Sequence, residues 1–143
     1  MPYEYLEKMV TSDIAFHAWG VTVCDLFKTS GDALIGVMVD SIESVEPKES
    51  RSVALQNDSV EMLLFDALQE LIYFKDAQGM LLRYTVCNIE QIDAIFTFRG
   101  EMRGEQIEES KHNLMVDVKA VTMHLFAVTE KKGCWEATVV LDI

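Results

Sequence analysis

The chain has 143 residues, half of them hydrophobic, and 24 acidic residues against 12 basic ones give a formal net charge of −12. One domain spanning residues 1–143 is predicted, because a chain of this size buries about 70% of its unfolded surface around a single core. The acidic excess argues against direct binding to a nucleic-acid backbone, which requires basic residues to displace counterions. A metal ion or a basic protein partner fits this charge better, and an acidic surface that only maintains solubility is the alternative.

The cysteines and the N-terminal residues indicate the cellular compartment. Cys24, Cys87 and Cys134 are too widely spaced for a paired metal-binding motif or a disulfide framework, so reduced thiols are expected. The first residues carry acids where a signal peptide carries bases, and no apolar run reaches membrane-spanning length. A cytoplasmic location without membrane contact is therefore expected.

The first third of the chain predicts a strand followed by a helix. Hydrophobic alternation over residues 13–20 indicates a strand that closes at a glycine. Thr22 and Asp25 have the spacing of a capping box, and apolar residues then recur at helical spacing to about Val39. Two glycines within this helix favour the close approach of a neighbouring element.

A second helix follows a less regular stretch. Residues 41–56 are interpreted as a loop that leads into a short strand at residues 51–55. Ser59 and the two residues before it supply an N-cap, after which an uninterrupted apolar stripe predicts a helix to about Phe74. A turn is expected at residues 75–79.

The remainder of the chain predicts antiparallel strands. The polar stretch at residues 100–113 lacks apolar periodicity and is interpreted as a mobile loop. The predicted strands cover residues 81–89, 92–99, 114–129 and 135–143, with turns at 90–91 and 131–133. Together the elements predict an α+β fold, with a largely antiparallel sheet and two helices packed on one face in a two-layer sandwich.

The predicted terminal strand places several carboxylate oxygens close together. Asp142 and the carboxylate of Ile143 could bind a hard cation or a cationic side chain. A short hairpin loop places them beside residues 121–123 or a neighbour of these, so that Lys119 and His124 flank the chain end. Either Lys119 neutralises the terminus and His124 is a structural histidine, or this corner is a cation site.

A cation site at this corner requires a further acid. Ca²⁺ binds about six to eight oxygens, more than one dipeptide supplies. Asp13, at the start of the first strand, and Asp40, at the end of the first helix, are the candidates, although each could instead be a capping or turn residue. Oxygen ligands favour Ca²⁺, Mg²⁺ or Mn²⁺ over zinc.

The motifs of the common enzyme classes are missing from the sequence. It contains no P-loop, no nucleophile elbow, no zinc-protease motif and no glycine-rich dinucleotide turn. No cysteine or serine near a histidine suggests an activated nucleophile. A stand-alone metal-dependent phosphoesterase or nuclease that uses Asp13, Asp142 and a bound water is the alternative to a non-enzymatic role.

Several segments resemble those of a known family, in the same order along the chain. Residues 11–20 (TSDIAFHAWG), 118–124 (VKAVTMH) and 135–143 (WEATVVLDI) are similar to segments of the archease family, and so are residues 1–7, 37–40, 46–47 and 65–73. The lysine-to-histidine block followed by the terminal VVLDI is the specific part. The resemblance covers nearly the whole chain.

The resemblance implies a function that the residues alone do not indicate. Archeases assist the GTP-dependent RNA ligase that joins tRNA halves and broken RNAs through 2′,3′-cyclic or 3′-phosphate ends, so an accessory role without catalysis is implied. A divalent metal, commonly Ca²⁺, is implied at Asp13, Asp142 and the Ile143 carboxylate. The implied role is to promote guanylylation of the ligase and its repeated turnover.

The sequence departs from the family pattern in two regions. The histidine that usually precedes the first motif is absent from the matching stretch, residues 8–11. The loop at residues 100–112 is longer than usual and lacks the family's proline. Ligase docking or metal affinity are the properties that these departures would alter.

Overall fold

The computed structural model describes residues 2–6 and 13–143. In chain order, their strands and helices are β1 Tyr3–Tyr5, β2 Asp13–Gly20, α1 Val23–Met38, a 3₁₀ helix Ile42–Ser44, β3 Glu49–Asn57, α2 Val60–Gln78, β4 Met80–Ile92, β5 Ile95–Gln106, α3 Glu109–His112, β6 Ala120–Lys131 and β7 Cys134–Asp142. The strands form two antiparallel sheets with the orders β1-β2-β7-β6 and β3-β5-β4.

Helix α1 lies between the two sheets. It packs against β2 in one sheet and β4 in the other, and consecutive residues from Ala33 to Ile35 are buried, so more than one side of the helix is covered. The predicted α+β class with antiparallel strands is confirmed. The expected single sheet with both helices on one face differs from the structure, which divides the strands between two sheets. Hydrophobic periodicity reports which side of an element is buried and not which strand pairs with it.

The N-terminus of α1 has the predicted capping box. The Thr22 hydroxyl accepts a hydrogen bond from the Asp25 N–H at 3.0 Å, and the Asp25 carboxylate accepts one from the Thr22 N–H at 3.4 Å. Further along the helix, a Cβ at Gly36 would lie 2.5 Å from the Tyr5 hydroxyl, which donates to the carbonyl of Ala33. Gly36 therefore permits β1 to pack closely on α1.

Thr22→Ala is expected to lower the free energy of unfolding by about 1 kcal/mol, because the first turn loses the acceptor for the Asp25 N–H. Thermal unfolding followed by circular dichroism should show a decrease of roughly 3–5 °C in melting temperature. Thr22→Ser keeps the acceptor oxygen and should unfold near the wild-type temperature. Equal melting temperatures for wild type and Thr22→Ala would show that the cap contributes no stability.

Helix α2 extends beyond its predicted end. It continues to Gln78 and terminates at Gly79, which adopts the left-handed conformation with φ 64°, so the predicted turn is the last turn of the helix. Lys75 is buried there, and its ammonium donates to Asp117 at 2.7 Å and to the carbonyl of Val118 at 2.8 Å. None of the helices within residues 2–6 and 13–143 is long and apolar enough to cross a membrane.

The boundaries of β3, β4, β5 and β6 also differ from those predicted. Strand β3 is longer than predicted at both ends. The β4–β5 hairpin turns at residues 93–94 instead of 90–91. Asp93 takes the left-handed φ of 56° that such a two-residue loop requires. Strand β6 begins late because the residues before it bond elsewhere, Leu114 and Met115 to the end of α1 and Asp117 and Val118 to Lys75 of α2. The Met115 N–H donates to the carbonyl of Met38 at 2.9 Å.

The predicted mobile loop at residues 100–113 is wrong. Strand β5 continues through Gly100 and Gly104, and α3 follows it. At Gly104 a Cβ would overlap the carbonyl oxygen of Leu81, so a side chain at this position would prevent β4 and β5 from pairing as they do. Apolar periodicity is missing here because glycines and the buried Glu105 occupy positions that hydrophobic residues usually fill.

A buried polar cluster joins β5, α3 and the loop before β3. Glu105, 3% exposed, accepts hydrogen bonds from the Glu46 N–H at 2.8 Å and from Lys111 at 2.7 Å. It also contacts Nε2 of His112, 1% exposed, at 3.0 Å and forms an ion pair with Lys48 at 3.4 Å. Because Nδ1 of His112 accepts from the Glu108 N–H at 2.9 Å, this network assigns the ring proton to Nε2.

The three cysteines are free thiols, as their spacing predicted. The Cys24 thiol donates to the carbonyl of Cys87 at 3.5 Å. Burial raises the pKa of the Cys24 thiol and raises that of Cys87 to about 12. Both thiols are therefore protonated and poorly nucleophilic at neutral pH.

Candidate metal site

Asp13 and Asp142 lie directly opposite each other at the end of the first sheet. Strand β2 begins at Asp13, strand β7 ends at Asp142, and the antiparallel register pairs these two residues. Opposed residues in such a ladder point to the same face of the sheet, with Cβ atoms about 4.5–5.5 Å apart. The fold thus brings together two of the sequence-predicted ligands from opposite ends of the chain.

Ile143, the third predicted ligand, directly follows this pair. Its side chain packs against the hydrophobic core, which holds the residue beside Asp142. A site built from the carboxylates of Asp13, Asp142 and Ile143 would offer only oxygen donors, the type that hard divalent cations prefer.

Lys119 adjoins the same corner through its main chain. Its N–H donates to the carbonyl oxygen of Asp142 at 2.8 Å, and the next residue, Ala120, pairs with Asp142 across β6 and β7. The end of β7 is therefore held between β2 on one side and β6 on the other. The Lys119 side chain itself is exposed.

His124 lies in an irregular part of β6. Thr122 pairs with Val140, whereas Ala127 pairs with Thr138, so the four residues between Thr122 and Ala127 oppose a single residue of β7. His124 is one of these four and is exposed. It lies four residues along β6 from the residue that pairs with Asp142.

Asp40 follows the end of α1 on the other side of β2. Its N–H donates to the carbonyl of Asn113 at 3.2 Å, and the residue is exposed. Asp40 and Ile14 line the same groove. Strand alternation directs Ile14 to the face opposite that of Asp13.

The side chains alone do not form a complete metal site. Within residues 2–6 and 13–143, no group of three or more His, Cys, Asp and Glu side chains is arranged to hold a metal ion. A cation at the Asp13–Asp142 corner would therefore need the Ile143 carboxylate and water as further ligands. The stretch at residues 8–11, where the family's usual histidine is missing, lies outside the described residues.

A second polar group on the same face was missed in the sequence. His17 lies between Glu4 and Glu136, with its ring nitrogens 3.7 Å and 3.6 Å from their carboxylates, and its ring is 5.4 Å from that of Trp19. The period-two pattern of β2 places Asp13, His17 and Trp19 on one face and could have indicated this row. Its carboxylates make this face acidic.

Comparison with known proteins agrees with the fold and with the sequence resemblance. Residues 3–143 match the model of the Archease protein family (MTH1598/TM1083). The archease of Methanosarcina mazei is 33% identical over 142 residues, covering 99% of this chain and 95% of its own. The archease of Methanopyrus kandleri is 32% identical over 144 residues, and the match covers 100% of both chains.

Solved structures lead to the same family. The solution structure of Methanobacterium thermoautotrophicum protein 1598 matches with a TM-score of 0.85 and 29% sequence identity, and the match covers 99% of both chains. A Thermotoga maritima crystal structure described as "an archease, possible chaperone" is 19% identical, has a TM-score of 0.57 and shares the fold over 98% of this chain and 99% of its own. Because the family model spans nearly every residue and relatives above 30% identity match along the full length, this chain belongs to the archease family.

Proposed function

We propose that this protein is an accessory factor that activates a GTP-dependent RNA ligase in tRNA splicing and RNA repair, and that it does so with a divalent cation held at the Asp13–Asp142 corner. The observation that carries the proposal is the direct opposition of Asp13 and Asp142 in the β2–β7 register. These are the two aspartates that the archease resemblance implies as metal ligands.

The chemistry of the corner supports a hard cation. Asp13, Asp142 and the Ile143 carboxylate would bind Ca²⁺, with Mg²⁺ and Mn²⁺ as alternatives, because all their donor atoms are oxygens. When bound, the cation supplies positive charge that neutralises and polarises phosphate oxygens. The two strands position the aspartates before any partner arrives, and the Lys119 N–H positions the carbonyl of Asp142.

The net charge supports a protein partner and not RNA. A formal charge of −12 repels a phosphate backbone, whereas a ligase that binds RNA carries basic surfaces. Opposite charges on the two proteins accelerate their encounter and orient it. The protein would thus meet the ligase without competing for its RNA.

Ligation by the cognate ligase is expected to reach multiple turnover only when this protein and a divalent cation are both present. A ligation time course with the ligase at about one-tenth of the RNA concentration measures this, with and without the protein and with chelator followed by added Ca²⁺, Mg²⁺ or Mn²⁺. Equal turnover without the protein would refute the proposal.

The same reagents separate activation from stand-alone catalysis. Incubation of the protein alone with Mn²⁺ or Mg²⁺ and a panel of RNAs and phosphoesters should yield no product. Hydrolysis that disappears in an Asp142→Asn variant would instead identify the chain as a phosphoesterase or nuclease.

A further inference from the structure

Exposed apolar side chains converge beside the carboxylate corner. Tyr5, Leu6, Leu114, Met115 and Val116 are 36% to 61% exposed, and they line two adjoining cavities that share Met115 and Val116. Together these cavities form one apolar groove. The other exposed large apolar residues in the described part of the chain occur singly or in pairs, so this cluster stands out as an interaction surface.

The groove and the carboxylate corner are joined by one short segment. Residues 114–119 run from the groove to Lys119, whose N–H donates to the carbonyl of Asp142 at 2.8 Å. Six extended residues span at most about 20 Å. On the other wall, Ile14 lines the groove and directly follows Asp13. A partner that covers the groove therefore lies beside the carboxylate corner, although the Asp13 and Asp142 side chains point to the opposite face of the sheet.

The charges around the groove indicate the type of partner. Asp40 is exposed and lines the groove. Lys75 also lines it, but Lys75 is buried and already bonded to Asp117 and to the carbonyl of Val118. A second copy of this chain would bring another net charge of −12 towards the same surface, so self-association is opposed.

We propose that the apolar groove binds an apolar segment of a positively charged protein, and that a lysine or arginine of that segment pairs with Asp40. This inference rests on the proposed function, because the positively charged partner is taken to be the ligase. The apolar contacts supply affinity, and Asp40 with the surrounding acidic surface supplies orientation and a fast encounter.

Met115→Ser is expected to weaken binding of the cognate ligase at least tenfold, because it removes an exposed apolar anchor from the wall that both cavities share. The Met115 N–H still donates to Met38, so the main chain is retained. Biolayer interferometry with immobilised ligase measures the affinity. Ile92→Ser, at the tip of the β4–β5 hairpin where the side chain is 66% exposed, is the matched control and should bind as the wild type does.

The contribution of the Asp40 charge to ligase binding is measured separately, from the association rate. Asp40→Asn should slow association about two- to fivefold at low salt and reduce the dependence of the association rate on NaCl, because screening then has one charge fewer to act on. Circular dichroism confirms that each variant is folded. Leu6→Ser, on the opposite wall of the groove, provides a second apolar truncation.

The outcomes separate this inference from the proposed function. If the wild type stimulates ligation but Met115→Ser and Leu6→Ser bind the ligase as tightly as Ile92→Ser does, the groove is not the docking site and the proposed function stands. If the wild type neither binds nor stimulates the ligase, both proposals fail. A wild-type dimer in sedimentation that Met115→Ser dissociates would overturn the inference in favour of self-association.

Discussion

Asp13→Asn is expected to abolish both the Ca²⁺-dependent rise in melting temperature and the stimulation of multiple-turnover ligation, while the protein remains folded. A neutral amide replaces one of the two opposed carboxylates, so the cation loses a charged ligand. In wild type, Ca²⁺ at about a hundred times its dissociation constant should stabilise the fold by about 2.7 kcal/mol. Differential scanning fluorimetry with and without Ca²⁺ measures this independently of any ligase.

Without metal, Asp13→Asn should be at least as stable as the wild type. Like charges directly opposite each other destabilise a sheet, so chelated Asp13→Asn should melt at or slightly above the temperature of the chelated wild type. Asp142→Asn removes the other member of the pair and should give the same two results. If the two aspartates had a purely structural role, both variants would melt at a lower temperature than the wild type whether or not metal is present.

Glu136→Gln is the matched control for both variants. Glu136 lies on β7 and, by strand alternation, on the same face as Asp142, but its partner across the ladder is Trp19. This substitution changes the charge by the same amount and should retain the Ca²⁺ response and the stimulation of ligation. A full Ca²⁺ response and full stimulation by Asp13→Asn would show that the metal is not held at this corner.

The sequence predicted the local elements of this site better than it predicted their arrangement. Alternation predicted β2 and β7, and both the residue pattern and the resemblance named the aspartates at their ends as candidate ligands. The expected turn at residues 131–133 is also present, with Lys132 and Gly133 at φ 48° and 77°. These features depend on short-range sequence, in which propensity and periodicity are informative.

The register of β6 could not be predicted from its sequence. Between Thr122 and Ala127 the strand bulges and shifts its pairing by three residues, so Asp142 pairs with Ala120 where a regular hairpin would place residue 123. The bulge includes Leu125 at φ 55°, a conformation that leucine seldom adopts. No glycine or asparagine marks the position in the sequence, so the bulge has no local signal there.

The misread stretch at residues 100–113 has a different physical cause. Hydrophobic periodicity treats acidic and basic residues as solvent-exposed, whereas Glu105 and His112 are buried and satisfy each other. Buried polar groups are tolerated when all of them are hydrogen-bonded, but that condition depends on contacts distant in sequence, such as the Glu46 N–H.

Glu105→Gln is expected to lower the free energy of unfolding by about 3 kcal/mol near pH 7, because the amide NH₂ group faces hydrogen-bond donors and the surrounding cations lose their counter-charge. Urea unfolding followed by fluorescence or circular dichroism measures the change. Glu101→Gln is the control on the same strand. Its partially exposed carboxylate pairs with Arg103 near the surface, and its loss should cost less than about 0.5 kcal/mol.

The pH dependence tests whether the charge of Glu105 is responsible for this loss. Burial alone would raise the pKa of Glu105, but hydrogen bonds from the Glu46 N–H, Lys111 and His112 outweigh burial and hold it at about 2, below its ordinary 4.5. A depressed carboxyl pKa contributes stability that is complete above about pH 4.5 and is lost as the pH falls towards 2. Wild type and Glu105→Gln should therefore differ most at neutral pH and converge in acid, since protonated wild-type Glu105 is also neutral. Unfolding curves that stay equally far apart from pH 7 to pH 3 would instead assign the loss to packing, and not to the charge.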